Sequence, residues 1–205
     1  MTIRFHKGDL PDLSRYTVDA IAIDTETLGL NPHRDRLCVV QLSPGDGTAD
    51  VVQIAAGQKS APNLAKLLGD AAVTKIFHFA RFDLAILYNS LGVMPGPVFC
   101  TKIASRLTRT YTDRHGLKDL TAELLGIVMN KVQQSSDWGA DTLSQDQLEY
   151  AASDVLHLHR LRETLAARLV RDGRADVADA CFKFLPTRAK LDLMGWGEED
   201  IFAHS

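Results

Sequence analysis

Residues Ala22–Leu30 read AIDTETLGL, and the fold and the chemistry are worked out from this stretch. An apolar run ends in Asp24 and Glu26, two carboxylates one residue apart, with Gly29 just beyond. In an extended strand, residues i and i+2 share a face, so both acids point the same way. Carboxylates held that close repel, and one takes up a proton unless a cation lies between them. Mg²⁺ or Mn²⁺ is the natural candidate, because hard divalent ions prefer oxygen ligands. The plainer alternative is a strand end capped by polar residues, with Asp24 bonding to its own turn. The pair alone does not decide between them.

Around it, Ala20–Asp24, Leu37–Leu42 and Asp50–Ile54 read as strands: short, rich in β-branched residues and bounded by turn formers. The links NPHRDR and SPGDGTA have no room for a crossover helix, so these strands are expected to form an antiparallel meander. Helices are expected at Pro62–Leu68 and Ala80–Ser90, with brief strands at Lys75–Phe77 and Val98–Cys100. Strands followed by helix–strand–helix units give an α/β fold with a mixed sheet and packed helices. The second half reads as helical, at Leu117–Leu125 and as one long helix over Ser144–Val170. Ser144 and Gln147 form a capping box, and Leu148, Ala151, Val155, Leu158, Leu161, Leu165 and Leu169 make its core-facing stripe. Gly173 is the expected C-cap. Residues 1–205 are expected to make one domain, with 174–205 a helical start and then a packed C-terminal extension.

Bulk properties narrow the function. The 205 residues are 45% hydrophobic and 24% charged, the balance of a globular chain. A net charge of −3 argues against a dense basic surface gripping long nucleic acid. Cys38, Cys100 and Cys181 lie far apart in apolar contexts with no CxxC pattern, and read as buried core residues. The first dozen residues resemble no signal peptide, and no apolar run approaches the ~18 residues that cross a bilayer. A cytoplasmic protein with no membrane partner is expected.

Two further signals stand later in the chain. Asp83, in HFARFD, falls in the first turn of a helix, where an acid suits the helix dipole. Tyr150 and Asp154, in EYAASDV, are i and i+4 on the long helix and so neighbours one turn apart. Each is unremarkable alone. Together, D-x-E on a first strand, H-x-x-x-F-D on a middle helix and Y-x-x-x-D on a late helix resemble the DEDDy family of 3′→5′ exonucleases. The stretches KIFHFARFD, HGLKDLTAELLG, KVQQSSDW and LSQDQLEYAASDVLHLHRL extend the likeness to its ribonuclease D branch over most of the chain. The second motif departs from the family in one respect: Phe79 and Ala80 stand where an Asn is common. The chain also ends where longer ribonuclease D proteins continue into helical nucleic-acid-binding domains.

The resemblance implies a ribonuclease H-like fold and a two-metal phosphodiesterase using Mg²⁺ or Mn²⁺. It implies Asp24, Glu26, Asp83, Tyr150 and Asp154 as catalytic residues. Asp24 bridges two cations, Glu26 and Asp154 complete the shell of the one that activates water, and Asp83 supports the other. Tyr150 orients the attacking water, since a phenol is a poor full base at neutral pH. The expected activity is hydrolysis of short oligoribonucleotides, dinucleotides above all, to nucleoside 5′-monophosphates. The alternative is a general ribonuclease D-like exonuclease acting on longer RNA or DNA ends. Shorter members of the branch are homo-oligomers, and the same is expected here.

Substrate contacts are expected from Thr25, Glu26, Leu30, His78, Arg81, Lys102, Arg106 and His115. Glu26 would also meet the terminal 3′-hydroxyl. Leu30 either wedges between two bases or tucks under its own loop. Residues 101–118 hold Lys102, Arg106, Arg109, Arg114 and Lys118 against Asp113 alone, which reads as a solvated helix face or as a receptor for a 5′-phosphate. His78 and His115 read equally as packing or hydrogen-bonding residues. Trp138 and Trp196 read as buried anchors, with base stacking the alternative.

Overall fold

In the computed structural model, residues 2–130 and 132–204 are described. Six strands form one sheet among them: β1 (Thr2–Lys7), β2 (Ala20–Thr27), β3 (Leu37–Ser43), β4 (Thr48–Gln53), β5 (Thr74–Phe77) and β6 (Val98–Cys100), in the order β1-β4-β3-β2-β5-β6. The meander is there: β2 pairs antiparallel with β3, and β3 with β4. The expected parallel half follows, β5 pairing parallel with β2 and β6 with β5. β1 was not legible in TIRFHK, and pairs parallel with β4 across some forty residues of chain.

All seven residues of β3 are buried, as befits a strand covered on both faces. On one side α5 (Gln145–Leu156) lies on β2, β3 and β4. The capping box at Ser144 starts it: Gln147 N–H donates to Ser144 Oγ at 3.2 Å, and Ser144 N–H donates to Gln147 Oε1 at 2.9 Å. Ala151 and Ala152, both fully buried, allow its close approach to the sheet.

The expected long helix is two. α5 ends at Leu156 and α6 (Leu158–Arg171) begins beyond His157, whose φ of −104° and ψ of −8° break the ladder. The buried stripe continues through Leu158, Leu161, Leu165 and Leu169, so hydrophobic spacing alone did not mark the break. Gly173 follows α6 at φ 65°, the left-handed conformation of a helix stop.

Further helices are α1 (Pro62–Gly69), α2 (Ala80–Leu91), α3 (Thr101–Thr108), α4 (Leu117–Leu120, continuing as a wider turn over Thr121–Leu125) and α7 (Ala175–Leu191). The helical start expected of the tail extends further, as α7 carries Pro186 in its interior. Phe182, Leu185 and Ala189 are buried on both sides of the proline, and Phe182 packs its ring 4.8 Å from that of Phe99. This packing offsets the ~3 kcal/mol that an internal proline costs.

Three readings of single residues change. Arg109 is not part of a solvated face: it is fully buried, bound to Glu123 and donating to Ser105 Oγ at 3.0 Å and to the Arg114 carbonyl at 2.6 Å. Cys181 is only half-buried, unlike Cys38 and Cys100. Trp196 is 38% exposed, because the turn carrying it lies outside the core.

Candidate active site

The two carboxylates sit at the end of β2, which runs on to Thr27 rather than stopping at Asp24. Both therefore stay on an extended backbone and face the same side. Asp154, from the last turns of α5, meets them there. One carboxylate oxygen from each of Asp24, Glu26 and Asp154 lies within 4.8 Å of the others. Asp83, in the first turn of α2, stands beside this triad, and Thr25 Oγ1 donates to its Oδ1 at 2.7 Å. Thr25 is thus a buried support for Asp83.

The electrostatics follow from the crowding. Burial, then Asp83, Asp154 and Glu26, raise the Asp24 carboxyl well above the ordinary carboxylate range. Burial and the charges of Asp154 and Asp83 push Glu26 up to about 9. Burial lifts Asp83 to about 7 against the Thr25 hydrogen bond. Tyr150 is raised above an ordinary phenol by burial and by Asp154, Glu26 and Asp24, so it stays protonated at neutral pH. This is a hard, all-oxygen donor set with more negative charge than it can hold alone, and it fits Mg²⁺ or Mn²⁺.

Gln41 is the residue that sequence reading missed. It lies opposite Asp24 in the β2–β3 register and is fully buried. Its Nε2 donates to Asp24 Oδ2 at 2.7 Å, and its side chain also hydrogen-bonds Glu26. One amide thereby spans both carboxylates and fixes their orientation, opposing in part the rise that burial imposes on Glu26. Gln41→Leu, similar in volume, is expected to weaken Mn²⁺ binding about 10- to 100-fold by calorimetry, the usual cost of losing such a support. Unchanged affinity would refute that role.

These acids line a cavity of about 660 Å³ together with Tyr150, Leu30, Phe79, Lys102 and Trp138. Leu30 is 85% exposed, so it projects from its loop instead of tucking beneath it. Gly29 shapes that loop: a Cβ there would collide with the Asp35 carboxylate, whose Oδ2 accepts from the Asn31 N–H at 2.9 Å. Trp138 is buried, as expected of an anchor, with its ring 5.9 Å from that of Tyr150. Thr25, Glu26, His78 and Lys102 also line the cavity. The Thr101 hydroxyl donates to the Phe77 carbonyl at 3.1 Å, leaving its oxygen to accept from His78 Nδ1 at 2.9 Å.

Arg81, Arg106 and His115 are not brought to this cavity. Arg81 lines a neighbouring one, where Nε and Nη2 grip the Asp192 carboxylate at 2.6 and 2.7 Å and Nη2 reaches the Gly197 carbonyl at 2.7 Å. Asp192 is also held by Arg188 at 2.6 Å, so Arg81 staples the C-terminal segment to α2. Arg106 is exposed on α3. His115 Nδ1 lies 2.8 Å from Ser105 Oγ, and burial with Arg109 and Arg106 favours its neutral form.

A family model described as 3′-5′ exonuclease matches residues 11–170. The chain belongs to this 3′→5′ exonuclease family. Within it, the chain is similar to NrnC of Brucella melitensis with bound Mg²⁺, at 72% identity and a TM-score of 0.97 over 100% of each chain. A structure of Brucella melitensis NrnC bound to pGG gives 73% identity and a TM-score of 0.98, again over 100% of both chains. Ribonuclease D of Gluconacetobacter diazotrophicus is 39% identical over 156 residues, covering 76% of this chain and 39% of that protein. The chain thus spans about two-fifths of the length of the curated ribonuclease D relatives it matches. The mixed sheet flanked by helices is the ribonuclease H-like fold of these exonucleases.

Proposed function

We propose that this exonuclease domain is a divalent-metal-dependent 3′→5′ exoribonuclease whose preferred substrates are very short, with the dinucleotide foremost. The carrying observation is the triad of carboxylate oxygens from Asp24, Glu26 and Asp154 facing a protonated Tyr150 in one cavity. Two cations held by Asp24, Glu26, Asp83 and Asp154 would supply an acidified water and charge neutralisation at the departing oxygen. Tyr150 keeps its proton and orients the attacking water through its hydroxyl oxygen, while Asp154 fixes the phenol by a hydrogen bond. Attack at phosphorus breaks the bond to the 3′-oxygen of the preceding nucleotide. The phosphate leaves on the 5′-oxygen of the released nucleotide, giving a nucleoside 5′-monophosphate. In this reading Glu26 and Thr25 meet the 3′-terminal sugar, and Leu30 separates the two bases; the lining of the cavity by all three supports it.

Substrate length is supported by three features. A cavity of about 660 Å³ matches a ligand of one or two nucleotides better than a strand. The net charge of −3 offers little counterion release to long RNA. The similar Brucella protein was captured with pGG. The ribonuclease D relatives favour a second reading, trimming of longer RNA or DNA ends.

Initial rates on 5′-labelled RNAs of increasing length from the dinucleotide, with Mg²⁺ or Mn²⁺, separate the two. The dinucleotide is expected to turn over at least about tenfold faster than the longer RNAs, and equal rates would establish the second reading. The proposed setting is the cytoplasm, with the chain in a homo-oligomer. Among the described residues no helix is long and apolar enough to cross a membrane. Exposed Val128, Val132, Met194 and Phe202 offer apolar surface for self-association.

A further inference from the structure

Phe79 adopts a backbone conformation that its side chain does not favour. It precedes α2 at φ 72° and ψ 44°, the left-handed region, and among the described residues it is the one non-glycine with positive φ. An L side chain enters that region at an energetic cost, and such strain persists where the surroundings enforce it. Burial does not offset the cost, because Phe79 is 45% exposed whereas Phe77, two residues earlier, is fully buried.

The conformation instead presents the ring to open space. Phe79, Leu30 and Phe82 are the residues that line both the catalytic cavity and a second cavity of about 670 Å³. These three apolar side chains therefore form the partition between the acids and that second space. Lys102 Nζ lies 4.4 Å from the centroid of the Phe79 ring, and Lys102 also lines the catalytic cavity. An exposed ring, an exposed leucine and an ammonium group together suit a nucleotide. The base finds an aromatic surface, and the cation stands within the cavity that would take its phosphate.

We propose that Phe79 is the platform on which the base of the nucleotide 5′ to the scissile phosphodiester stacks. The proposal rests on the exonuclease reading and extends it: the acids would hold the cations that meet the scissile phosphate, and the partition takes the nucleotide beyond it. Strain at residue 79 aims the ring, and stacking sets how tightly the two-nucleotide substrate is held. Because every base has a π face, this contact tolerates any base.

The test is a cycle of steady-state kinetics with Mg²⁺. Wild type and Phe79→Ala are each assayed on a 5′-phosphorylated dinucleotide and on the same dinucleotide with an abasic 5′ residue. Removing the base or the ring alone is expected to raise KM about tenfold, the scale of one base–aromatic stack, with kcat little changed. Removing both is expected to cost no more than removing one. Independent losses that multiply, or coupling to the 3′ base instead, overturn the proposal.

Phe79→Asn adds a second readout, since asparagine enters the left-handed region readily. It is expected to raise KM as alanine does while melting no lower than wild type, and Phe79→Tyr is expected to keep the wild-type KM. A lowered melting temperature with unchanged KM would make the ring structural and overturn the platform. A wild-type enzyme that fails to cleave the intact dinucleotide would instead strike the short-substrate reading beneath it.

Discussion

Asp24→Asn is expected to lose about 10²- to 10³-fold in kcat on a dinucleotide and yet, in EDTA, to melt above the wild-type chain. The first effect follows from taking a charge away from the centre of the site, where each interaction with developing charge is worth about 3–4 kcal/mol. The second follows from the same charge. Asp24 is raised by burial and by Asp83, Asp154 and Glu26, so in the metal-free fold its ionised form is disfavoured. The amide relieves that repulsion and can still bond to Gln41, which stands opposite it in β3. A gain of about 2–4 °C, equivalent to ~1 kcal/mol in a chain of this size, is the expected shift at pH 8. Calorimetry and single-turnover hydrolysis check the two halves separately. A variant that is both inactive and less stable would mean that Asp24 holds the fold together rather than holding a cation.

Stabilisation by Mg²⁺ is expected to grow as pH rises. Asp24, Glu26 and Asp83 have folded-state pKa values above their unfolded ones, so the metal-free fold retains protons that the unfolded chain releases. Their contribution to stability is complete below about pH 4. It is then lost as pH climbs through about 7 for Asp83 and about 9 for Glu26. In EDTA, these groups therefore make the protein less stable at pH 8.5 than at pH 6. Bound metal requires the ionised forms and reverses the trend. At a hundredfold excess over Kd, binding contributes about 2.7 kcal/mol. The melting temperature with and without Mg²⁺ at the two pH values checks this, with the larger gain at pH 8.5. Equal gains at both would mean that the ion binds away from these carboxylates.

Local spacing explains what could be read from the sequence. Asp24 and Glu26 share a face because a strand alternates, and Tyr150 lies beside Asp154 because a helix turns in four residues. Those rules need no knowledge of the rest of the chain, and the structure brings all four residues to one cavity. The meander was legible for a similar reason, since links too short for a crossover leave no other pairing.

Gln41 was hidden because it sits inside an apolar strand, and only the β2–β3 register sets it against Asp24. β1 was hidden because its partner β4 is distant in sequence. The break at His157 carries neither glycine nor proline. A surplus of basic residues over 101–118 could not reveal that Arg109 turns inward to Glu123 while Arg106 stays in solvent. Charge counts do not say which way a side chain points. Nor did helical spacing show that Arg81 would be taken by Asp192 from the end of the chain.

Asp24, Glu26 and Asp154 are assigned as a cage for a divalent cation. Crystals soaked in Mn²⁺ at pH 8 test it most directly, through anomalous scattering at the manganese edge. The expected result is a manganese peak within about 2.0–2.4 Å of a carboxylate oxygen from each of the three residues, and no such peak in Asp24→Asn. Manganese bound elsewhere on the wild-type chain, with the triad empty at saturating concentration, would contradict the account.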